Sequence, residues 1–85
     1  MFHYVYVLRS RVDGFFYTGY SSDLKRRIQE HNAGQVPATA QRRPLDLVYY
    51  EACRCQADAT RRENYLKTAW GKRFLRGRLR NYLTG

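Results

Sequence analysis

The sequence predicts an α+β fold with the element order ββαβαα. The chain opens with two short runs of β-branched and aromatic residues on either side of an Asp-Gly turn signal. Its last third instead carries apolar residues at helical spacing. Its length of 85 residues suits one domain, because a split would leave neither half enough core. We therefore expect a single domain over residues 1–85.

A β-hairpin is predicted at the start of the chain. The first strand covers residues 3–8 (HYVYVL) and the return strand covers residues 15–19, with a turn signal at Asp13-Gly14 between them. Two connections are open, a tight turn at that dipeptide or a six-residue loop over 9–14. We favour the longer loop, because the basic residues that follow the first strand would make a poor half-buried strand.

The register of the hairpin decides where its tyrosines lie. The longer loop pairs Leu8 with Phe15 and places Tyr6 opposite Tyr17, whereas the tight turn pairs Val12 with Phe15. In both registers, the residue numbers of each cross-strand pair add up to an odd number. Because side chains alternate between the two faces of a strand, both phenols then lie on one face of the sheet.

The elements after the hairpin follow from caps and periodicity. A first helix is predicted from a cap at Ser21, Ser22 or Asp23 to about Asn32, and Ala33-Gly34 is its stop signal. Residues 34–44 hold two prolines and form a loop of a length that is often functional. The remaining elements are a third strand over residues 45–51, a helix from about Ala57 interrupted at Gly71, and a short helix carrying Phe74, Leu75, Leu79 and Leu83.

The charge balance points to a polyanionic partner. Sixteen basic residues against seven acids give a net charge of +9 and a pI near 10.1. Most of the bases are arginines, whose planar fork suits bidentate phosphate contacts. Residues 61–85 hold eight bases and a single acid, and Arg73, Arg76 and Arg80 repeat at helical spacing as one ridge. We expect nucleic acid as the partner, with an anionic membrane surface second.

Several classes of protein are excluded. No apolar run approaches the roughly 20 residues of a membrane span, and the N-terminus lacks the pattern of a signal peptide. Cys53 and Cys55 are too close together to frame a disulfide-stapled domain, and we expect them to be reduced bystanders. Only His3 and His31 could join them as ligands, which argues against a four-ligand zinc site. The expectation is a soluble cytoplasmic protein without a membrane partner.

The first helix combines an apolar stripe with two polar residues. Helical geometry places Arg27 and His31 on the side of Leu24 and Ile28, whereas Lys25 and Arg26 point away to solvent. Alone, His31 would be read as a satisfied core histidine. One turn apart beside an apolar stripe, the two residues indicate the floor of a site.

Glu63 is the one acid of the C-terminal portion. Helical projection puts it on the packing face with Ala59, Leu66 and Trp70. Because an unpaired carboxylate against an apolar surface is costly, it calls for a cation or a metal beside it. The alternative is a capping box with Thr60, which requires the helix to start at that residue.

This set of side chains suits phosphodiester hydrolysis. Arg27 can stabilise charge on the phosphate oxygens, and Glu63 can anchor one divalent hard cation, Mg²⁺ or Mn²⁺. The general base stays open. His31 titrates near neutral pH, whereas Tyr6 or Tyr17 would need nearby positive charge to lower its pKa.

The sequence resembles the GIY-YIG nuclease family over essentially its whole length. The matching motifs are Tyr4-Val5-Tyr6, Tyr17-Thr18-Gly19, Asp23-Leu24 with Arg27, His31 and Asn32, and Arg62-Glu63 with Leu66-Lys67. The first motif departs from Gly-Ile-Tyr and the second has Thr18 for isoleucine, but both keep the tyrosine. The likeness is greatest to the small stand-alone bacterial members.

The resemblance implies a fold and a set of roles. The fold is a small three-stranded antiparallel sheet flanked by helices. Tyr6 and Tyr17 would lie at the active centre, Arg27 would contact the scissile phosphate, His31 would assist, and Glu63 would bind the metal. Nucleic-acid contacts are assigned to Gly19, Lys25, Arg26, Lys67, Lys72, Arg73, Arg76 and Arg80.

The leading hypothesis is a metal-dependent endonuclease that hydrolyses DNA, rather than RNA, in repair, recombination or turnover. No separate sequence-reading motif is present, so sequence specificity should be low. Recognition would then depend on nucleic-acid structure, on the loop at 34–44, or on a protein partner. The alternatives are a non-catalytic nucleic-acid-binding module and a peripheral binder of anionic membranes.

Overall fold

The computed structural model describes residues 1–85 and has one three-stranded antiparallel sheet. Strand β1 covers His3–Ser10, β2 covers Phe16–Ser21, and β3 covers Leu45–Cys53. Their order across the sheet is β2-β1-β3, with both neighbours antiparallel to β1. The central strand is the β-branched and aromatic run, as burial on both faces requires.

Four helices and one short 3₁₀ turn complete the fold. Helix α1 covers Leu24–Asn32, α2 covers Gln56–Leu66, α3 covers Ala69–Arg78 and α4 covers Arg80–Thr84, and the 3₁₀ turn covers Ala40–Arg42. The α+β class predicted from the sequence is therefore confirmed, with one short terminal helix more than the predicted order. None of the helices combines the length and the apolar character that crossing a membrane requires.

The two faces of the sheet carry separate cores. Tyr6 and Leu8 of β1 pack with Leu45 on the face that α1 covers through its partly buried residues. Val5 and Val7 point the opposite way, into the core formed with α2 and α3. Because side chains alternate along β1, Tyr6 points toward α1, whereas Val5 and Val7 point toward the C-terminal helices.

The hairpin register differs from the predicted one by two residues. Tyr6 pairs with Gly19, and Leu8 pairs with Tyr17, so Tyr6 is not directly opposite Tyr17. The prediction was wrong because β1 continues to Ser10, whose side chain is buried and donates a hydrogen bond to the Arg42 carbonyl at 2.7 Å. The connecting loop is therefore shorter than predicted. The expectation that both phenols share one face holds, because the paired positions again sum to an odd number.

The break between the C-terminal helices lies before Gly71 rather than at it. Helix α2 ends at Leu66, and Thr68 caps α3 by accepting a hydrogen bond from the Gly71 amide. Gly71 is instead a packing residue, because a Cβ there would overlap the backbone of Leu66. With α3 turned at this corner, Trp70 is 69% exposed, so its predicted place on the packing face was wrong.

Candidate active site

Tyr6 is the buried centre of the candidate site. Its side chain is 1% exposed and crosses β2 directly over Gly19, at the position where a Cβ of residue 19 would meet the phenol. Helix α1 covers the same face and is started by Asp23, whose carboxylate accepts a hydrogen bond from the Arg26 amide at 3.2 Å. The cap fixes the residue at which α1 begins.

A chain of buried hydrogen bonds begins at this phenol. The Tyr6 hydroxyl lies 2.8 Å from His31 Nε2, and His31 Nδ1 lies 2.7 Å from Thr39 Oγ1. Neither His31 nor Thr39 is exposed to solvent. Each polar atom of this chain is therefore satisfied inside the protein, as buried polar groups must be.

The positions of the protons follow from the loop that holds His31. Thr39 Oγ1 donates to the Val36 carbonyl at 3.5 Å, so it accepts from His31 Nδ1 at 2.7 Å. A neutral imidazole carries one N–H proton, so Nε2 accepts the hydrogen bond that the Tyr6 hydroxyl donates at 2.8 Å. The guanidinium of Arg27 lies close enough to the phenol to influence its pKa.

The pKa values of the pair keep both groups neutral at pH 7. Burial raises the pKa of Tyr6 above its usual value of 10.0, against the opposing effect of the nearby Arg27 guanidinium. Burial, followed by the charge of Arg27, lowers the pKa of His31 below its usual value of 6.5. The site thus holds a phenol donor and a neutral imidazole acceptor in contact, which is an arrangement for moving one proton.

Arg27 is held between a carboxylate and the phenol. Its Nη1 donates to Glu30 Oε1 at 3.0 Å, and its side chain is 37% exposed. The Glu30 carboxylate and then the Tyr6 hydroxyl raise the pKa of Arg27, so its charge is constant. Lys25 and Arg26 lie on the exposed side of α1, as predicted, and Arg26 also pairs with Glu30 at 3.3 Å.

Tyr17 joins the same cluster from β2. Its ring meets the His31 ring edge-on, with the two centroids 5.1 Å apart. Tyr17 is half-buried, whereas Tyr6 is enclosed, so Tyr17 offers the more accessible hydroxyl to a ligand. The structure therefore brings together four of the five predicted site residues by direct contact, namely Tyr6, Tyr17, Arg27 and His31.

Glu63 approaches the cluster from the other face of the sheet. Helix α2 starts at Gln56, two turns earlier, so Glu63 does not cap its own helix. Its carboxylate lies close enough to contribute to the raised pKa of Tyr6. The side chain is 17% exposed and pairs with Lys67 Nζ at 2.9 Å. The predicted need for a cation beside this acid is thus met by a neighbour on the same helix.

The donor set around Glu63 suits only one kind of metal. No group of three or more His, Cys, Asp and Glu side chains is placed to hold a metal. Both ring nitrogens of His31 are already engaged, so oxygen is the donor on offer. A hard divalent cation that keeps its waters and takes one carboxylate plus substrate phosphate fits this set, whereas zinc does not.

The basic residues divide into paired and unpaired groups. Seven of the sixteen bases form ion pairs, among them Arg26 and Lys67. The unpaired bases are Arg9, Lys25, Arg43, Arg54, Lys72, Arg73, Arg76, Arg78 and Arg80, and five of these nine belong to α3 and α4. The positive surface is therefore concentrated on the C-terminal helices, as the sequence predicts.

The predicted arginine ridge does not form as one row. Helix α3 ends at Arg78, and Arg80 starts the separate helix α4. Arg73 lies over the exposed Trp70 ring, 5.9 Å from its centroid, whereas Arg76 lines a different hollow with Lys72. The three arginines do not share one helical row, because Leu79 ends α3 in a non-helical conformation.

One residue of the site had no readable signal in the sequence, and one residue of the family motif lies outside the site. Thr39 orients His31 from a loop that has no periodicity, so only the loop as a whole could be marked as functional. Arg62 precedes Glu63 in its motif but serves the fold, since it forks onto Glu51 at 2.9 and 3.0 Å and ties α2 to β3.

Comparisons with known proteins agree with this architecture. The model of the GIY-YIG catalytic domain matches residues 2–78. A UPF0213 protein of Staphylococcus saprophyticus is 43% identical over 67 residues, which cover 78% of this chain and 80% of the relative. A UPF0213 protein of Staphylococcus aureus is 40% identical over 75 residues, covering 87% and 90% of the two chains.

A solved structure gives the same result for the fold. The solution NMR structure of the UPF0213 protein BH0048 from Bacillus halodurans is 38% identical, with a TM-score of 0.55. The similarity covers 88% of this chain and 82% of that chain. The chain belongs to the GIY-YIG family and resembles its small bacterial UPF0213 members.

Proposed function

We propose that this protein is a divalent-metal-dependent endonuclease that hydrolyses DNA phosphodiester bonds with low sequence specificity. The observation that carries the proposal is the convergence on Tyr6 of a neutral imidazole, a guanidinium and the field of a carboxylate. These are the groups that proton transfer and charge stabilisation at a phosphate require. The assignment of the GIY-YIG catalytic domain supports the same reaction class.

Arg27 is the group that binds the scissile phosphate. Its fixed positive charge lies at the partly exposed edge of a buried cluster, where charge stabilisation is stronger than in water. Glu30 holds one side of the guanidinium, which leaves the other donors to the phenol and to a phosphate oxygen. The planar fork suits two such oxygens at once.

Tyr6 and His31 act as one base. The attacking water, entering at the partly exposed side of Arg27, gives its proton to the enclosed Tyr6 oxygen. The phenol proton passes at the same time to His31 Nε2 across the 2.8 Å hydrogen bond. This transfer avoids a free phenolate, which burial disfavours. Thr39 keeps Nδ1 protonated, so that Nε2 is the acceptor.

Glu63 would hold the Mg²⁺ or Mn²⁺ ion, with water and substrate oxygens as the other ligands. Such an ion, when bound, supplies Lewis-acid stabilisation of charge on the phosphate oxygens. Tyr17, half-buried at the same edge, orients the substrate through its hydroxyl. Lys67 holds the Glu63 carboxylate in place until the ion is bound.

A polyanionic substrate is supported by the distribution of charge. Five unpaired bases lie on the two C-terminal helices, and phosphate contacts of this kind carry no sequence information. DNA in repair, recombination or turnover, recognised by its structure or through a protein partner, is the substrate that we assign.

A non-catalytic nucleic-acid-binding module is the second candidate. The observation in its favour is the ion pair between Glu63 and Lys67, which occupies the one carboxylate available for metal. A protein that kept this pair closed would bind DNA through its basic helices without cleaving it.

Cleavage assays on a matched pair of variants separate the two candidates. End-labelled single-stranded, nicked and branched DNA would be incubated with Mg²⁺ or Mn²⁺ and the wild-type protein, Glu63→Gln or Asp58→Asn. We expect Glu63→Gln to lower the cleavage rate by about 100-fold or more. Asp58 lies on the same helix but pairs only with the exposed Arg61, so its variant should retain activity. Equal cleavage by all three proteins would contradict the proposal, and binding without cleavage would support the second candidate.

A further inference from the structure

A cleft on the far side of β2 from Tyr6 borders the candidate active site, and most of its lining residues have no role in the proposed reaction. It holds about 530 Å³ between the hairpin and the C-terminal helices. Its floor is apolar, formed by Phe16, Leu66, Leu75 and Leu83. The volume lies within the roughly 300–1,000 Å³ of sites that accept small organic groups.

The rim of this cleft is basic. Lys72 and Arg76, one turn apart on α3, line it and have no carboxylate partner. Lys67 lines it from the end of α2. No acid is present among the lining residues. The cleft therefore combines an apolar interior with a positive edge.

An exposed aromatic ring stands at the mouth of the cleft. Phe15 lines it from the hairpin and is 71% exposed, although large apolar side chains are ordinarily buried. An accessible aromatic ring beside unpaired cations is the arrangement by which proteins stack nucleobases and hold the adjoining phosphates.

The cleft adjoins the candidate active site through two residues. Tyr17 lines the cleft and also packs against His31. Lys67 lines the cleft and also pairs with Glu63. The cleft and the candidate active site therefore share a border at Tyr17 and Lys67, and a bound strand that crosses this border occupies both.

We propose that the cleft between Phe15 and Arg76 is a subsite for one unpaired nucleobase of the bound strand. The inference rests on the proposed function and adds to it the feature that the substrate must expose. Charge complementarity selects this occupant, because an uncharged apolar ligand would leave the basic rim without partners. A base inside a duplex is stacked and paired and cannot enter, so the subsite selects unpaired nucleotides.

Binding without metal tests this subsite separately from cleavage. The probe is a single-stranded oligonucleotide containing 2-aminopurine, titrated in EDTA, with a blunt duplex of the same length as a second probe. Phe15→Ala should weaken single-strand binding by roughly 5- to 150-fold, the range for loss of one stacked base. It should leave duplex binding unchanged. Val12→Ala, also exposed on the hairpin but outside the cleft, is the matched control and should change neither.

Each result has a defined meaning. Quenching of 2-aminopurine by the wild-type protein, and its loss in Phe15→Ala, would support the subsite even if no DNA were ever cleaved. Equal losses of single-strand and duplex affinity in Phe15→Ala, or no loss in either, would overturn it. An unchanged fluorescence of the probe on saturation would also overturn it. Failure of the proposed nuclease would appear only in the assays with metal.

Discussion

The phenol of Tyr6 occupies the space that a side chain at Gly19 would fill. The two residues are paired across β1 and β2, and a Cβ on residue 19 would overlap the Tyr6 hydroxyl. The glycine of the second family motif and the tyrosine of the first are therefore one steric unit. Glycine is needed here for the close approach of a ring, not for an unusual backbone angle.

Gly19→Ala should displace Tyr6 and thereby separate it from His31. Because the tyrosine is fully buried, the overlap cannot be relieved by a move into solvent. We expect a loss of about 1–3 kcal/mol in the free energy of unfolding, the usual cost of overpacking, together with a large loss of cleavage activity. Urea denaturation measures the first effect.

Gly77→Ala is the control for this change. A Cβ at residue 77 meets nothing within 4 Å, and the residue lies inside α3. Replacing a helical glycine by alanine should stabilise the protein by about 0.5–1 kcal/mol. Two glycine variants that shifted stability in the same direction would refute the steric account of Gly19.

The parts of the site that the sequence predicts are those set by periodicity. Because side chains alternate along a strand, Tyr6 and Tyr17 lie on one face of the sheet whenever the paired residue numbers sum to an odd number. The error of two residues in the predicted register therefore left the predicted face of both tyrosines unchanged. The helical repeat likewise places His31 on the inner side of α1. Both inferences depend on local geometry alone.

The parts that escaped prediction depend on tertiary packing. Thr39 contacts His31 because a proline-containing loop folds back over α1, and no local pattern marks that contact. Trp70 was misplaced for a related reason. In the sequence, Gly71 looks like a residue that breaks a helix. In the structure, it allows the start of α3 to pack closely against the end of α2, so the chain changes direction after Leu66.

Thr39→Val should leave His31 Nδ1 without a partner in a buried site. The valine is close in shape to threonine, so the change removes the hydroxyl without opening a cavity. We expect a loss of about 1–3 kcal/mol in the free energy of unfolding. Thr39→Ser keeps the hydroxyl and should restore the tautomer. The imidazole ¹⁵N shifts of His31 distinguish the variants, and identical shifts in the wild type and Thr39→Val would contradict the assigned role.

Stability should fall as the pH drops below about 6.5. The pKa of His31 is lowered in the folded protein, so the unfolded chain binds the proton more tightly between that lowered value and the usual 6.5. Stability is then complete above pH 6.5 and decreases below it. Thermal melts of the wild type from pH 8 to 5.5 should show this fall.

The variants His31→Gln and His3→Gln test whether His31 causes the loss of stability at low pH. His31→Gln should flatten the decrease in melting temperature, since no imidazole remains at the buried site. His3 lies in the partly buried pair with Tyr20 on the other face of β1, and its variant should keep the decrease. A decrease of the same size in His31→Gln would assign the pH dependence to other groups.

Lys67→Met should strengthen metal binding at Glu63. The ammonium of Lys67 lies 2.9 Å from the carboxylate, so a divalent cation must displace it before taking the same oxygen. The pair is half exposed on the lysine side, and partly exposed pairs of this spacing contribute only about 0.3–0.5 kcal/mol. The expected gain in Mn²⁺ affinity is therefore modest, about twofold.

The affinity would be measured by calorimetric titration in the absence of DNA, where the contribution of Lys67 to nucleic-acid binding plays no part. Lys72→Met, which removes an unpaired lysine from α3, is the matched control and should leave the affinity unchanged. Equal Mn²⁺ affinities in the wild type and Lys67→Met would mean that Glu63 is not the ligand. The positive charge of Lys67 opposes the binding of a second cation to the carboxylate with which it is paired.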